Sequence, residues 1–300
     1  MKLYLEGLVM TSQASIQPLM PIPRQSVRVA GFNGVSIAAQ AWGPADAPAV
    51  LLIHGFLGGR FSWAPLICGP LANKANLVTV ELRGHGASDK PEDPSAYADS
   101  EVWADDIAAV ASALGLKQFI LVAHSYGGVV AFDYLRHKGS SAVKGLILLA
   151  AAAEPPGVSQ DYVRPDTLPA LQASLSQDFS ERVDGIRGFV QAISRGPLPR
   201  DLHDALIAQG AISTPSMLAG AFSRRPVSNV DVFTKLDMPV IFVCGSHENV
   251  VTQALVEHVL RAVPHATSRT LDNVGHLPQI EANDQVAELI ADLIASVSSK

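Results

Sequence analysis

The segment that most constrains this chain is an apolar run that ends directly in a serine-containing turn. Residues 119–123 (FILVA) are continuously apolar, as expected for a strand buried on both faces, and HSYGG follows at positions 124–128. A helix-period apolar segment, 129–137, begins without a spacer. A strand, a small-x-Ser-x-Gly turn and a helix in this order predict a nucleophile elbow, which lifts the Ser125 hydroxyl above the sheet edge. Ala123 takes the first small position, where glycine is usual.

Charge and hydropathy limit the classes of partner that this chain could bind. The net charge is −6, the pI is near 5.8 and no run of Lys or Arg stands out, so we expect no nucleic acid and no anionic membrane as a partner. No segment approaches ~18 continuous apolar residues, and we therefore expect no membrane span. Residues 1–10 lack the apolar region and the cleavage site of a signal peptide.

Cysteine and histidine usage bears on the compartment and on metal binding. The only two cysteines, Cys68 and Cys244, provide no disulfide framework, which favours a cytoplasmic location. His54 and His85 have no Cys, His or Asp neighbours at the spacing of metal ligands, so we interpret both as structural residues. We accordingly expect neither a metal nor a cofactor.

Strand and helix patterns alternate along most of the chain. Asn33-Gly34 lies between the first two strand patterns and predicts a hairpin. The eight predicted strands are 26–30, 36–42, 49–53, 77–82, 119–123, 143–150, 239–244 and 267–271. The predicted helices outside the middle of the chain are 100–114 with Ser100 as N-cap, 129–137, 252–262 and 284–296. This alternation predicts an α/β fold with a mostly parallel eight-stranded sheet covered by helices on both faces.

The middle of the chain departs from this alternation. Between residues 151 and 230, proline breaks and short helical patterns such as 182–193 and 200–209 replace the strands. We interpret this region as a helical cap inserted between two parts of one core, because it starts just after a strand end. The predicted organisation is a lead-in at 1–25, a core at 26–150 and 231–300, and the cap at 151–230.

A serine hydroxyl needs an adjacent base, and the base needs a carboxylate that orients it. His276 is the candidate base, because it lies in a loop between the last predicted strand and the last predicted helix. Glu248 is the candidate acid, because it is the only carboxylate in the loop after the seventh predicted strand. Glu154, which follows the sixth strand, is the alternative acid. His258 lies within a helical pattern and is interpreted as a surface or packing residue.

Two backbone N–H groups are needed to stabilise the oxyanion that forms when a serine attacks a carbonyl. The amide of Tyr126 is one candidate, because this residue follows the nucleophile. The amide of Phe56 is the other, because it follows His-Gly in the glycine-containing loop 54–59 after the third strand. The start of the helix after Ser125 adds a positive dipole at the same place.

These landmarks occur in a fixed order: HGF at 54–56, RGHGAS at 83–88, HSYGG at 124–128, a loop acid at 245–248 and GH at 275–276. Together they resemble the α/β-hydrolase superfamily over about residues 26–296. The resemblance implies the α/β-hydrolase fold, the triad Ser125, Glu248 and His276, the oxyanion hole and a helical cap. The cap and the elbow are similar to those of one branch of the superfamily, which holds esterases, lactonases, cofactor-free haloperoxidases and carbon–carbon-bond hydrolases. The superfamily usually has Asp where Glu81 and Glu248 stand.

The first functional hypothesis is a serine hydrolase that cleaves a small or medium carboxylic ester through an acyl-enzyme on Ser125. The first alternative is a carbon–carbon-bond hydrolase of ring-cleavage products, in which Arg187 and Arg195 of the cap would bind a substrate carboxylate. The second alternative is a non-enzymatic receptor for a small ligand. The apolar residues proposed to contact a hydrophobic small-molecule substrate are Trp63, Phe189, Met217 and Phe222. The oligomeric state is left open.

Overall fold

The structure, a computed structural model, describes residues 19–298. Most of the predicted lead-in at 1–25, including residues 1–10, therefore lies outside the described residues. Among the described residues, no single helix has the length and hydropathy of a membrane span. Only one bent pair, Arg200–Ala211 with Pro215–Phe222 across a 74° break, meets those requirements when the two helices are counted together.

A single eight-stranded sheet forms the centre of the molecule, as the sequence predicts. The strands are β1 Gln25–Ala30, β2 Ser36–Trp42, β3 Ala49–Ile53, β4 Asn76–Glu81, β5 Phe119–His124, β6 Val143–Leu149, β7 Val240–Gly245 and β8 Thr267–Leu271. Their spatial order is β1-β2-β4-β3-β5-β6-β7-β8. The β1–β2 and β2–β4 pairs are antiparallel and every other pair is parallel. β3 and β5 lie side by side, which brings the loops after both strands to one edge of the sheet.

The first hairpin differs in detail from a two-residue turn. The connection contains a short 3₁₀ turn, Phe32–Gly34, and both Asn33 (φ 53°) and Gly34 (φ 75°) lie in the left-handed region. Asn and Gly tolerate that conformation better than other residues, which explains why the pair marks the turn.

Helices cover both faces of the sheet and fill the connection between β6 and β7. They are α1 Ala64–Cys68, α2 Ser100–Ala113, α3 Gly127–Lys138, α4 Leu168–Ala173, α5 Phe179–Ile193, α6 Arg200–Ala211, α7 Pro215–Phe222, α8 Val230–Phe233, α9 Gln253–Ala262, α10 Pro278–Glu281 and α11 Asn283–Ser298. The predicted N-cap of α2 is wrong by one residue: Asp99 is the N-cap, and Ser100 is the first helical residue. The hydroxyl of Ser100 instead contacts Nε2 of His137 at 2.8 Å.

The helices α4–α8 between β6 and β7 are called the helical insertion below. Its helices pack on one another and on the loops at the carboxyl edge of the sheet. A Cβ atom added to Gly220 of α7 would lie 2.1 Å from the carbonyl oxygen of Pro94, so this helix sits directly against the 3₁₀ turn Pro94–Tyr97. The carbonyl of Ile193, at the end of α5, accepts a hydrogen bond from the amide of His276 at 2.9 Å. The insertion thus contacts the loop that carries the predicted base.

Candidate active site

The backbone of Ser125 forms a tight turn between β5 and α3. Ser125 has φ 53°, in the left-handed region that a non-glycine residue rarely adopts, and its carbonyl accepts hydrogen bonds from the amides of Gly128 and Ala152 at 2.9 Å. A Cβ atom on Gly127 would lie 2.4 Å from the carbonyl oxygen of Ile53, so only glycine allows α3 to start this close to β3. The turn has the strained strand-to-helix geometry expected of a nucleophile elbow.

Three predicted residues from separate loops meet at this turn. Nε2 of His276 lies 2.9 Å from Oγ of Ser125, and Nδ1 of His276 lies 2.8 Å from Oε1 of Glu248. Both distances are those of hydrogen bonds. The His276 side chain is 1% exposed and the Glu248 side chain is 8% exposed, so water screens this pair weakly.

The His276 loop is held from two further sides. The amide of Gly275 donates to Oε2 of Glu281 at 2.7 Å. Nε2 of His124 lies 2.8 Å from the carbonyl oxygen of His276, and because a carbonyl can only accept, His124 carries its proton on Nε2. Burial lowers the pKa of His124 to about 3, assisted by the charge of His276, so the imidazole of His124 is neutral near pH 7.

Glu248 is fixed by its own loop as well as by His276. Its Oε1 accepts the backbone N–H groups of Val250 at 2.7 Å and of Val251 at 3.1 Å. Burial raises the pKa of Glu248, but the charge of His276 and these hydrogen bonds outweigh burial and leave the pKa below its usual value of 4.5. Glu248 is therefore ionised near pH 7, with a charge that can stabilise an imidazolium.

The alternative acid, Glu154, lies in a different cluster. Its oxygens accept hydrogen bonds from the hydroxyl of Ser228 at 2.8 Å and the amide of Asn229 at 2.6 Å. Nε2 of His258 lies 2.9 Å from Oε1 of Glu154. Glu154 makes no hydrogen bond with His276 among the described residues. The sequence does not predict this second His–Glu pair, because His258 and Glu154 are 104 positions apart and no local pattern links them.

The amides of Phe56 and Tyr126 are both available to a ligand. Within residues 19–298, neither N–H donates a hydrogen bond to another backbone or side-chain group. The two rings stack with centroids 3.9 Å apart at an interplanar angle of 16°. A Cβ atom on Gly55 would lie 2.7 Å from Cβ of Ser125, so glycine at this position lets the loop after β3 approach the elbow. The two amides therefore flank Ser125 with no internal acceptor of their own.

The loop that carries Phe56 is held by His54, one of the two histidines interpreted as structural. Nδ1 of His54 lies 2.8 Å from the carbonyl oxygen of Gly55, and Nε2 accepts the amide of Leu82 at 3.1 Å. Burial lowers the pKa of His54 to about 4, so this residue is neutral and uses one nitrogen as donor and the other as acceptor. His85 lies against it in an edge-on contact with ring centroids 4.8 Å apart. No group of three or more His, Cys, Asp or Glu side chains within residues 19–298 is arranged to hold a metal ion.

An apolar cavity of about 100 Å³ opens next to Ser125. Phe189 and Phe222 line it together with Phe56 and Tyr126. The further lining residues are Ala152, Glu154, Pro155, Pro156, Gly157, Ser159, Tyr162, Val163, Thr167, Leu168, Leu171, Val250, Val251 and Leu255.

Two of the four residues predicted to contact the substrate do not line this cavity. Trp63 is fully buried at the junction of a 3₁₀ turn and α1 and does not line the cavity. Met217 is also fully buried and packs on the loop after β4, where a Cβ atom added to Gly84 would lie 2.6 Å from Cγ of Met217. Both side chains stabilise the core, which is the usual fate of large apolar residues.

The sequence profile of the Alpha/beta hydrolase family matches residues 50–289, which include the elbow, the Glu248 loop and His276. This chain belongs to the Alpha/beta hydrolase family. Named relatives of this hydrolase include a non-heme chloroperoxidase of Streptomyces lividans, 26% identical over 89% of this chain and 98% of the relative. The bifunctional esterase/perhydrolase DCH of Acinetobacter calcoaceticus is 33% identical over 46% of this chain and 48% of its own.

Solved structures agree with this family assignment. Esterase RhEst1 from Rhodococcus sp. ECU1013 is 29% identical and superimposes with a TM-score of 0.83 over 91% of this chain and 99% of its own. The predicted α/β-hydrolase fold is therefore confirmed, and this alpha/beta hydrolase is an enzyme, as its named relatives are.

Proposed function

We propose that this alpha/beta hydrolase is a serine esterase that cleaves a small or medium carboxylic ester through an acyl-enzyme on Ser125. The observation that carries the proposal is the continuous hydrogen-bonded chain from Ser125 through His276 to Glu248. Such a chain activates a hydroxyl, because the imidazole accepts the serine proton and the buried carboxylate stabilises the imidazolium that results.

The first half of the proposed reaction forms the acyl-enzyme. Oγ of Ser125 attacks the ester carbonyl carbon while Nε2 of His276 takes the hydroxyl proton. The carbonyl oxygen becomes an oxyanion, which the free amides of Phe56 and Tyr126 stabilise in the tetrahedral intermediate. His276 then gives its proton to the alkoxide leaving group, so that an alcohol departs and the acyl group stays on Ser125.

The second half releases the acid. Water loses a proton to His276 and attacks the acyl carbon, and the second tetrahedral intermediate collapses when Oγ of Ser125 leaves and regains its proton from His276. Glu248 stays ionised throughout and holds Nδ1–H of His276 at 2.8 Å, which keeps Nε2 directed at Ser125.

The cavity supports a hydrophobic acyl or aryl group as the bound part of the ester. Its described lining contains no Arg or Lys, and its one ionisable acid, Glu154, already accepts three hydrogen bonds. Its volume of about 100 Å³ holds several water molecules, since one water needs roughly 10–15 Å³ on this measure. We propose that the helical insertion acts as a cap, since Phe189, Phe222 and Leu168 from it form part of the cavity wall.

Carbon–carbon hydrolysis of an anionic ring-cleavage product receives no support from the residues suggested for it. Arg187 pairs with Asp184 on the exposed face of α5, and Arg195 is exposed outside the cavity. No positive side chain within the described cavity is thus placed to bind a substrate carboxylate.

The test is a panel of p-nitrophenyl esters with acyl chains from acetate to octanoate, assayed beside a ring-cleavage dienone carboxylate. We expect turnover of the short and medium esters, none of the dienone, and loss of esterase activity in Ser125→Ala. Turnover of the dienone alone would contradict the proposal, as would a complete lack of turnover by folded wild-type enzyme.

A further inference from the structure

An arginine of the helical insertion is buried directly behind the elbow. Arg224 lies between α7 and α8 and is 6% exposed. Its NH1 donates to the hydroxyl of Tyr126 at 2.9 Å, and its NH2 donates to Oδ1 of Asp133 in α3 at 2.7 Å. A buried arginine is costly unless its donors are satisfied. The first bond connects the insertion to the residue next to Ser125, and the second connects it to α3.

The tyrosine that Arg224 holds is packed on two sides by aromatic rings. Its ring stacks on Phe56 at 3.9 Å, and Trp103 meets it edge-on with centroids 5.7 Å apart. Burial raises the pKa of Tyr126 to about 12, so its hydroxyl is neutral and accepts the hydrogen bond from Arg224. The side chain of Tyr126 is therefore fixed at both its ring and its oxygen.

Phe56 and Tyr126 also each have an amide that donates to no acceptor within residues 19–298, and both residues line the cavity beside Ser125. Their stacked rings connect the loop after β3 to the start of α3, so the position of one amide depends on that of the other. Arg224 holds the outer end of this stack through the Tyr126 hydroxyl. A displacement of that hydroxyl would move the stack and alter the spacing of the two N–H donors.

We propose that Arg224 is a positioning residue that sets the geometry of the oxyanion hole through the hydroxyl of Tyr126. The inference rests on the proposed esterase function, since it assigns the amides of Phe56 and Tyr126 to the oxyanion. It also gives the helical insertion a role in the chemical step, because Arg224 contacts the elbow from that segment.

The expected signature is a fall in kcat with little change in KM. An oxyanion hole binds charge that exists only in the transition state, so misplacing its donors does not weaken ground-state binding of the ester. Loss of a whole donor costs about 10²–10³-fold in kcat. A donor that is retained but misplaced should cost less, and we expect a fall of roughly tenfold.

Tyr126→Phe is the cleanest variant. It keeps the amide and the stacked ring and leaves the Arg224–Asp133 ion pair in place, so only the hydroxyl is lost. Arg224→Met removes the same bond from the other end but leaves Asp133 buried without its partner, which could prevent folding. Tyr126→Phe decides the question if that second variant does not fold.

The matched control is Arg136→Met. Arg136 also joins α3 to the helical insertion, through two bonds of 2.8 Å to Asp231, but it makes no hydrogen bond with Tyr126 in the described structure. Its loss tests whether any ion pair between these elements affects kcat. Enzyme concentrations are set by titration with a fluorophosphonate, so that only folded, reactive sites are compared.

The experiment measures kcat and KM for a p-nitrophenyl ester in these three variants and in the Tyr126→Phe/Arg224→Met double variant. We expect kcat to fall about tenfold in Tyr126→Phe and in Arg224→Met, and the double variant to have the same kcat as either of them. The kcat of Arg136→Met should equal that of wild type. Inhibition by a trifluoromethyl ketone, which forms a tetrahedral adduct, should weaken by the same factor.

The inference is overturned if kcat of Tyr126→Phe stays within twofold of that of wild type. It is also overturned if the fall in kcat of the double variant equals the product of the falls in Tyr126→Phe and Arg224→Met. A fall in kcat of Arg136→Met as large as that of Tyr126→Phe would overturn it as well. Failure of the esterase proposal has a different signature: wild-type enzyme would then turn over no ester and would not react with the fluorophosphonate at Ser125.

Discussion

Nε2 of His276 lies 2.9 Å from Oγ of Ser125, although the two residues are 151 positions apart in the chain. Ser125 follows β5 and His276 follows β8, and both loops lie at the carboxyl edge of the same parallel sheet. Glu248, in the loop after β7, lies at the same edge and contacts Nδ1 of His276. The mostly parallel sheet thus brings an imidazole and a carboxylate from two segments beside the hydroxyl of a third.

We predict that His276→Gln lowers kcat on the order of 10⁴-fold or more, because Ser125 then has no base to accept its proton. The matched control is His258→Gln, which removes the other histidine–glutamate pair in the described structure. That pair has a similar length, 2.9 Å, but contacts no serine nucleophile. Steady-state hydrolysis of a p-nitrophenyl ester is the measurement. Equal losses in the two variants would show that His276 has no special role.

We predict that Glu248→Gln lowers kcat by roughly 10²–10⁴-fold with little change in KM, because the imidazolium loses its carboxylate and His276 its orientation. Glu248→Asp should keep part of the activity, since the charge remains and only the reach is shorter. Glu154→Gln, in the neighbouring cluster, should keep kcat within about threefold of wild type. The reverse pattern, an inactive Glu154→Gln and an active Glu248→Gln, would contradict the assignment.

We predict that Phe222→Ala shifts the preferred ester towards longer acyl chains. Phe222 lines the cavity, with its ring centroid 5.3 Å from that of Phe56, so its loss enlarges the acyl side of the site. The ratio of kcat/KM for octanoate to that for acetate should rise about tenfold, since a methylene in an apolar pocket is worth about 1–3 kcal/mol. Phe179→Ala is the control, because Phe179 is 62% exposed in the same insertion and does not line the cavity. An unchanged ratio in Phe222→Ala would place the acyl group elsewhere.

We predict that His124 makes the protein less stable as the pH falls below about 6.5. Burial holds the pKa of His124 near 3 in the folded state, whereas in the unfolded chain the pKa returns to its ordinary value of 6.5. The unfolded state therefore binds more protons between these values, and the free energy of unfolding drops by up to about 1.4 kcal/mol per pH unit for this residue.

Urea unfolding of wild type and His124→Gln between pH 4 and 7 measures this contribution. The difference between the two proteins is the quantity to compare, because Asp133, whose pKa burial raises to about 6, acts with the opposite sign in both. We expect a shallower loss of stability on acidification in the variant. Identical pH profiles would show that His124 is not held neutral in the folded state.

The parts of the site that the sequence predicts are those with a local signature at a strand end. Ser125 lies in the short turn between a buried strand and a helix, and Glu248 and His276 each lie in the loop after a strand. The mostly parallel pairing of the strands follows from the same alternation, because continuous apolar strands separated by helices pair in parallel.

The parts that the sequence does not predict depend on packing between distant segments. The Arg224–Tyr126 bond joins residues 98 positions apart, and Arg224 has no periodic pattern around it that marks it as buried. Apolar character alone predicts that Trp63 and Met217 contact the substrate. That character is shared by side chains that simply fill the core, so it cannot separate the two locations.

The most direct test of the account is to trap the acyl-enzyme. Wild-type protein is mixed with a p-nitrophenyl ester, quenched in acid during turnover, digested and analysed by mass spectrometry. The account predicts one acyl group on the peptide that contains Ser125, and no adduct and no turnover in Ser125→Ala. Ester hydrolysis that persists in Ser125→Ala, or an acyl group found on another residue, would contradict it.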